Sequence, residues 1–407
     1  MTDIAMAPVS GRSWFITGLG VAQIASWGSL YYSFPLIATA MESDLGWDKT
    51  AIYGTTTLGA ILAGLLAIPV GHAIDRGHGR WVMAGGSALA GLLLVLWALS
   101  DNLLLFYVGA AGVGALQAAT LYEAAFAVIA RRTGPAAARN PITALTLWGG
   151  FASTAFVPIV QLLLDHLGWR GALEALAAIN ILLCATIYFL VIDPEADLPP
   201  PKPAETRTSD APLRDALRNP VFWGLTVSFT AHSAAIGALL LHFYPMMLER
   251  GFSAPAVVAA LTLIGPAQVA GRIGIRVLGA QASGRRIGSV VVLAFPLAMA
   301  IFAWAPAEFA VVAGASILYG AANGIMTIVR GISVPEMVSK EAYGAINGAM
   351  AGPMTVARAG APLAAAAAWS VTGSYAAAMF GIFAASVVMT LAFWWAAGMS
   401  PIQGESR

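Results

Sequence analysis

Long apolar runs follow one another along this chain almost without pause, and each is the length of a membrane crossing. A bilayer core asks for roughly 20 apolar residues per helix. The runs cover residues 14–41, 51–72, 81–100, 103–130, 141–164, 170–192, 220–247, 254–275, 287–304, 308–334, 343–370 and 374–397. Only 10% of the 407 residues are charged, and the mean hydropathy is +0.78. Soluble chains carry about 25% charged residues, and a single soluble core does not grow to this size. The pattern predicts an all-α membrane protein with twelve transmembrane helices, and the lipid bilayer is its first partner. Trp14 to Met41 is too long for a signal-peptide core and lacks a cleavage site, so it reads as a retained first helix.

One stretch breaks the rhythm. Asp193 to Asn219 carries Pro199, Pro200, Pro201, Pro203 and mixed charges, as an extended linker does. It predicts a six-helix bundle over 1–192, a linker over 193–219 and a second six-helix bundle over 220–407. Lys and Arg set the orientation. With a cytoplasmic N-terminus, sixteen fall inside, from Arg12 to Arg407, and only Lys49, Arg170 and Arg250 fall outside. Both termini and the linker are therefore expected in the cytoplasm, with the chain in the inner membrane of a bacterium. The halves echo each other: Gly46-Trp47 with Gly251-Phe252, Gly114 before Glu123 with Gly320 before Arg330, and Pro158 with Pro362. Two pseudo-symmetric bundles would place a solute site between repeats.

Gly71-His72-Ala73-Ile74-Asp75-Arg76-Gly77-His78-Gly79-Arg80 concentrates charge between two apolar runs. The order Gly-x-x-x-Asp-Arg, followed by Gly and Arg, resembles the signature loop between the second and third helices of the major facilitator superfamily. The resemblance extends over the whole chain through the helix count, the six-plus-six split and the inside termini. It implies a secondary transporter working by alternating access, with Gly71, Asp75, Arg76 and Arg80 as a gating loop. A solvated loop obeying the charge rule is the plainer reading of the same residues. His78 stands where the family usually has Gly, but Gly77 and Gly79 remain to supply left-handed backbone. The second half has only Gly271-Arg272-Ile273-Gly274-Ile275-Arg276, without an acid. Val157-Pro158-Ile159-Val160-Gln161 lacks the glycines of drug antiporters, and Val108 stands where they often have Arg. Leu45-Gly46-Trp47, Asp75-Arg76 and the pair Arg330 and Arg358 look like the bacterial monocarboxylate-porter-like branch. That likeness implies a small anionic substrate moved with a proton.

Charge inside a membrane is costly and marks a site or a structural pair. Arg358 is the only charge between Ala345 and Trp369, on a stripe with Asn347, Ala351 and Met354. Its guanidinium suits a carboxylate. Arg330 extends a stripe of Tyr319, Asn323 and Thr327. Glu123 is a candidate proton carrier, or alternatively a gating partner of Arg330. His232 titrates in a useful range, although a lone helix histidine is more often packing. Tyr31 shares a face with Gln23 and Trp27. Arg358, Arg330, Tyr31, Asn347 and His232 are therefore expected to bind substrate, and Glu123 to couple the proton. The alternative is an efflux antiporter for neutral or amphipathic compounds, with these charges structural. No catalytic set, metal set, cofactor motif or phosphate-binding glycine loop is present, so an enzyme is not expected. The single cysteine, Cys184, permits no internal disulfide. No basic tract suggests nucleic acid, and the chain is expected to act as a monomer.

Overall fold

The computed structural model describes residues 9–134, 138–197, 211–278, 282–339 and 343–400. The proline run of the expected linker, with Lys202 and Arg207, lies outside them, as do Lys340 and Arg407. Among the described residues every regular element is helical. The chain divides into two compact units: Met1–Trp47 with Gly54–Pro203, and Asp48–Tyr53 with Ala204–Arg407.

The first unit holds α1 (Val9–Trp27), α2 (Phe34–Leu45), most of α3 (Lys49–Ala73), α4 (Gly79–Ala98), α5 (Leu103–Thr120), α6 (Tyr122–Thr133), α7 (Arg139–Gly149), α8 (Ala152–Ala178) and α9 (Ala185–Val191). The second holds α10 (Ala211–Arg218), α11 (Pro220–Glu249), α12 (Ala254–Leu278), α13 (Gly284–Val291), α14 (Ala294–Trp304), α15 (Phe309–Met337), α16 (Tyr343–Thr372) and α17 (Ala376–Met399). Eight stretches are long and apolar enough to cross a membrane. Those eight contain ten of the twelve expected crossings, because Lys49–Ala98 and Pro141–Ala196 each run through two. The other two expected crossings are α1 with α2, and α16.

Several expected helices are not single rods. The first is widened by a π-helical turn over Gly28–Tyr32. Gly28 has no room for a Cβ against Phe156 of α8, and Ser29 and Ser33 donate to the carbonyls of Ala25 and Ser29, both at 2.6 Å. Such back-bonding bends helices. The fourth breaks at Leu121, whose backbone is extended (φ −95°, ψ −159°). The fifth breaks between α7 and α8. The sixth starts at a kink inside α8, where Gly168 takes φ 68°.

In the first unit α4 is the hub, packed on α5, α8 and α9. A buried polar seam runs through this core: Asn180 Nδ2 donates to Ser29 Oγ at 2.8 Å, and Ser87 Oγ donates to the Asn180 carbonyl at 3.1 Å. In the second unit α11 packs along α16 and α17, and α12 along α15. Gly271, Gly320 and Gly324 form the α12–α15 seam, where an added Cβ would meet backbone of Ala321, Ile264 and Gln268. Small residues that let backbones approach are the usual basis of helix contact in lipid.

Candidate functional site

Each unit carries its own cluster of the polar groups expected from sequence. In the first, the π turn changes the register of the helical face that Gln23, Trp27 and Tyr31 would share. It brings Tyr31 and Tyr32 both onto Trp27, with ring centroids 5.4 and 6.3 Å away. Tyr122 joins from the start of α6 at 4.9 Å, and Phe126 stacks on Tyr122 at 5.1 Å. Gly149 faces the Tyr122 hydroxyl, so the breaks in the fourth and fifth crossings meet. Trp27 Nε1 is buried without a partner. Gln23 leaves this aromatic surface and is fully buried. Its Nε2 donates to the Thr120 carbonyl at 2.7 Å and to the Tyr188 hydroxyl at 2.9 Å.

Glu123 lies in the first turn of α6, exposed beside this cluster, and makes no ion pair with a described residue. A helix N-terminus favours a carboxylate there. The expected continuous helix over 103–130 would have given Glu123 no such position.

In the second unit His232 is buried in α11, with its Nδ1 unpartnered and its ring edge-on to Phe295 at 4.7 Å. It lines a small cavity with Tyr319, Met299, Ser386 and Met389. Its helix, α11, packs along α16, which carries Arg358, and the cavity residue Tyr319 stands on α15, which carries Arg330. Arg330 and Arg358 are themselves exposed. The Arg358 backbone is pressed against α11, where a Cβ on Gly237 would stand 2.6 Å from its carbonyl. Asn347 is half-buried on α16. α16 runs unbroken through Pro353 and Pro362, and along the expected stripe Asn347 and Ala351 are half-buried, Met354 is buried and Arg358 is exposed. On α15, exposure rises from buried Tyr319 through half-buried Asn323 to exposed Thr327 and Arg330.

The charged loop is a π-helical turn over Ile74–His78. Gly77 alone takes left-handed backbone, at φ 89°, while Gly79 is helical at φ −53°. Gly71 sits inside α3, where a Cβ would meet open space. Asp75 and Arg76 are exposed and make no ion pair with a described residue. Arg80 is different: its Nε donates to the Ile192 carbonyl at 2.5 Å, its Nη2 reaches Asp193 Oδ1 at 3.4 Å, and it lies over Phe189. It closes the C-terminal end of α9. Arg132 adds a hydrogen bond to the Asp193 carbonyl at 3.2 Å, and Arg131 lies 3.9 Å from Asp197. Burial raises the Asp197 pKa, with Arg131 and Arg132 opposing.

A further cluster surrounds His242, which its place near the outer end of the seventh expected crossing makes a cavity or gate candidate. His242 is fully buried, with one ring nitrogen 3.0 Å from the Tyr375 hydroxyl and the other 2.8 Å from the Pro362 carbonyl. Tyr53 stacks on it at 3.9 Å, and Lys49 sits 4.2 Å over Trp369. The Ser370 hydroxyl, 2.7 Å from Asp48, holds that carboxyl below its ordinary pKa. The partners of His242 are all more than a hundred residues away in sequence, so the histidine is visible there but its surroundings are not.

Comparison with known proteins agrees on the kind of molecule. The profile of the Major Facilitator Superfamily matches residues 19–362. An MFS-type efflux pump of Mycolicibacterium smegmatis is 29% identical over 61% of this chain. Monocarboxylate transporter 11 of Homo sapiens is 29% identical over 64% of it. The matched regions span 57% and 53% of those two proteins. Among solved structures, a bacterial homologue of the human lysosomal transporter Spinster superposes with a TM-score of 0.71, at 13% identity, covering 97% of this chain and 98% of that one. The nucleoside transporter NupG superposes with a TM-score of 0.72, at 15% identity, covering 95% and 99%.

Proposed function

Because this chain belongs to the Major Facilitator Superfamily, we propose that it is a proton-coupled carrier of small monocarboxylate-like anions. It is an integral membrane transporter of a small molecule; the anion and the proton are the proposal. The observation that carries it is the packing of Arg358, on α16, against Gly237 of α11, the helix that holds buried His232. A guanidinium group on an apolar helix marks a site or a structural pair, and its charge suits an anionic solute. Arg358 is assigned the carboxylate, for which its planar fork is shaped. Arg330, Asn347 and His232 are assigned to that binding, and Tyr31, in the π turn that follows α1, is assigned a substrate contact in the first unit. Glu123 carries the proton, since it stands exposed in a first helical turn without an ion-pair partner among the described residues. Bundles over 1–192 and 220–407, joined by the 193–219 linker with cytoplasmic termini, would alternate access.

Uptake of labelled small monocarboxylates into proteoliposomes tests this. With an inward proton gradient the wild type should accumulate solute. Arg358→Lys keeps the charge but not the fork, and should raise KM about tenfold, a loss near 1.4 kcal/mol. Unchanged anion affinity in Arg358→Lys and Arg358→Ala would remove Arg358 from the site.

A second reading has its own support. The ring cluster of Trp27, Tyr31, Tyr32, Tyr122 and Phe126 suits flat or amphipathic compounds. Likeness to a mycobacterial efflux pump points the same way. Efflux of such compounds from loaded vesicles, unaffected by Arg358→Ala, would favour it.

A further inference from the structure

The break at Leu121 has no cause in its own sequence. Thr120-Leu121-Tyr122 contains neither proline nor glycine, and Leu121 offers no side-chain cap to α6. Left alone, this apolar stretch would continue as a helix, and Ala124 N–H would bond to the Thr120 carbonyl. Instead that carbonyl accepts from Gln23 Nε2 at 2.7 Å and from the Tyr188 hydroxyl at 3.2 Å. Tyr188 is itself held by Gln23 Nε2 and by Ser26 Oγ, each at 2.9 Å. Gln23, Ser26, Thr120 and Tyr188 are all fully buried. The amide can sit only this way round, because a flipped Gln23 would set its oxygen against the Thr120 carbonyl. So placed, Gln23 Oε1 has no partner. A network of α1 and α9 side chains thus serves one orphan carbonyl and leaves a buried acceptor unsatisfied. In lipid, a continuous helix would avoid that cost.

We infer that Gln23 and Tyr188 are positioning residues for Glu123: by bonding the Thr120 carbonyl they hold the fourth crossing open at Leu121. The break restarts the helix at Tyr122, which puts Glu123 in the first turn of α6 beside N–H groups that no side chain caps. It also sets Tyr122 against Trp27 and Gly149. The consequence for transport rests on the reading of Glu123 as the proton carrier; the positioning itself does not.

Cysteine labelling decides the positioning. Cys184 is the chain's one cysteine and is fully buried, so Glu123→Cys supplies one reactive thiol. Its reaction with a water-soluble maleimide is followed in the purified full chain, with and without Tyr188→Phe and Gln23→Leu. Closing the break should change the labelling rate at position 123 by about threefold or more, while Leu104→Cys, at the exposed start of α5, stays unchanged. Tyr188→Phe removes one hydroxyl and keeps the ring, so it guards against a Gln23→Leu chain that does not fold. An unchanged rate at 123, or an equal change at 104, overturns the inference. Glu123→Gln, assayed for proton-driven accumulation, tests the other reading separately. If it accumulates like the wild type, the proton role fails while labelling still decides the positioning. If accumulation is lost, Tyr188→Phe should lower it about tenfold and leave solute exchange at equal pH intact.

Discussion

Arg250 shows how one side chain can finish a helix that begins some forty residues later. Its guanidinium donates to the carbonyls of Ile301 (3.4 Å), Phe302 and Ala305, at the C-terminal end of α14. The Ile301 carbonyl also accepts from the Ala305 N–H at 3.2 Å, and the negative end of the dipole favours a cation. Arg250→Ala should therefore lower stability by about 2 kcal/mol, and Arg250→Lys by about half that, because ammonium keeps the charge and loses the fork. Thermal unfolding of the purified protein in detergent checks the order; equal melting points for the two variants would contradict it. Glu249 does the matching task next door, accepting from Trp369 Nε1 at 2.7 Å and from the Tyr375 N–H at 2.6 Å at the N-terminus of α17. Neither role was legible. Arg250 reads in sequence only as an outside charge, because its partners are backbone atoms supplied by another helix. Glu123, Arg330 and Arg358 stand out as candidates, since a charge inside an apolar run announces itself without knowledge of any contact.

At the scale of elements, hydrophobic length located the crossings, and their interruptions came from packing. The break at Leu121 depends on Gln23 and Tyr188, nearly a hundred and nearly seventy residues away, so no local pattern could carry it. The α12–α15 seam was more legible than it looked. Gly320-Ala321-Ala322-Asn323-Gly324 is a small-residue spacing that favours close helices. A paired substitution measures the seam. At Gly324 an added Cβ would stand within 2.9 Å of Gln268 backbone, which cannot swing aside. Gly324→Ala should cost about 1–3 kcal/mol by forcing the helices apart. Gly314 lies on the same helix with open space around it, so Gly314→Ala should gain about 0.4–1 kcal/mol by limiting the unfolded chain. Opposite shifts in melting temperature are expected. A shift of the same sign in both would mean that the seam is not close-packed.

Across the whole molecule the duplication is written in backbone angles more clearly than in side chains. Gly46 and Gly168 take φ 65° and 68°, and Gly251 and Gly373 take 89° and 70°. Each of the later glycines lies 205 positions after its counterpart (251 less 46, 373 less 168). Gly46 ends α2 with its N–H on the Glu42 carbonyl at 3.0 Å, and Gly373 ends α16 with its N–H on Trp369 at 2.7 Å. Gly251 closes α11 in a fuller motif, its N–H on Leu248 at 2.9 Å and that of Phe252 on Met247 at 3.1 Å. The first pair was legible because an aromatic residue follows both glycines. The second was missed because Trp169 follows Gly168 directly, whereas Ser374 separates Gly373 from Tyr375. If Gly46 and Gly251 are the same device, substitution should be symmetric. Any Cβ in left-handed backbone costs about 1–2 kcal/mol, and all four sites have open space around them, so strain is the only added cost. Gly46→Ala and Gly251→Ala should therefore destabilise by similar amounts, measured one at a time by thermal unfolding, whereas Gly168, at φ 68° and ψ 179°, lies in a region open essentially to glycine alone and should lose more than Gly46 on substitution. Asn is the discriminating control. It tolerates left-handed backbone better than Ala, so Gly→Asn should recover part of the loss at Gly46 and Gly251 but not at Gly168. If Asn is no better than Ala at Gly46 or Gly251, the glycine there serves something other than its φ angle, and the duplicated caps would no longer be equivalent.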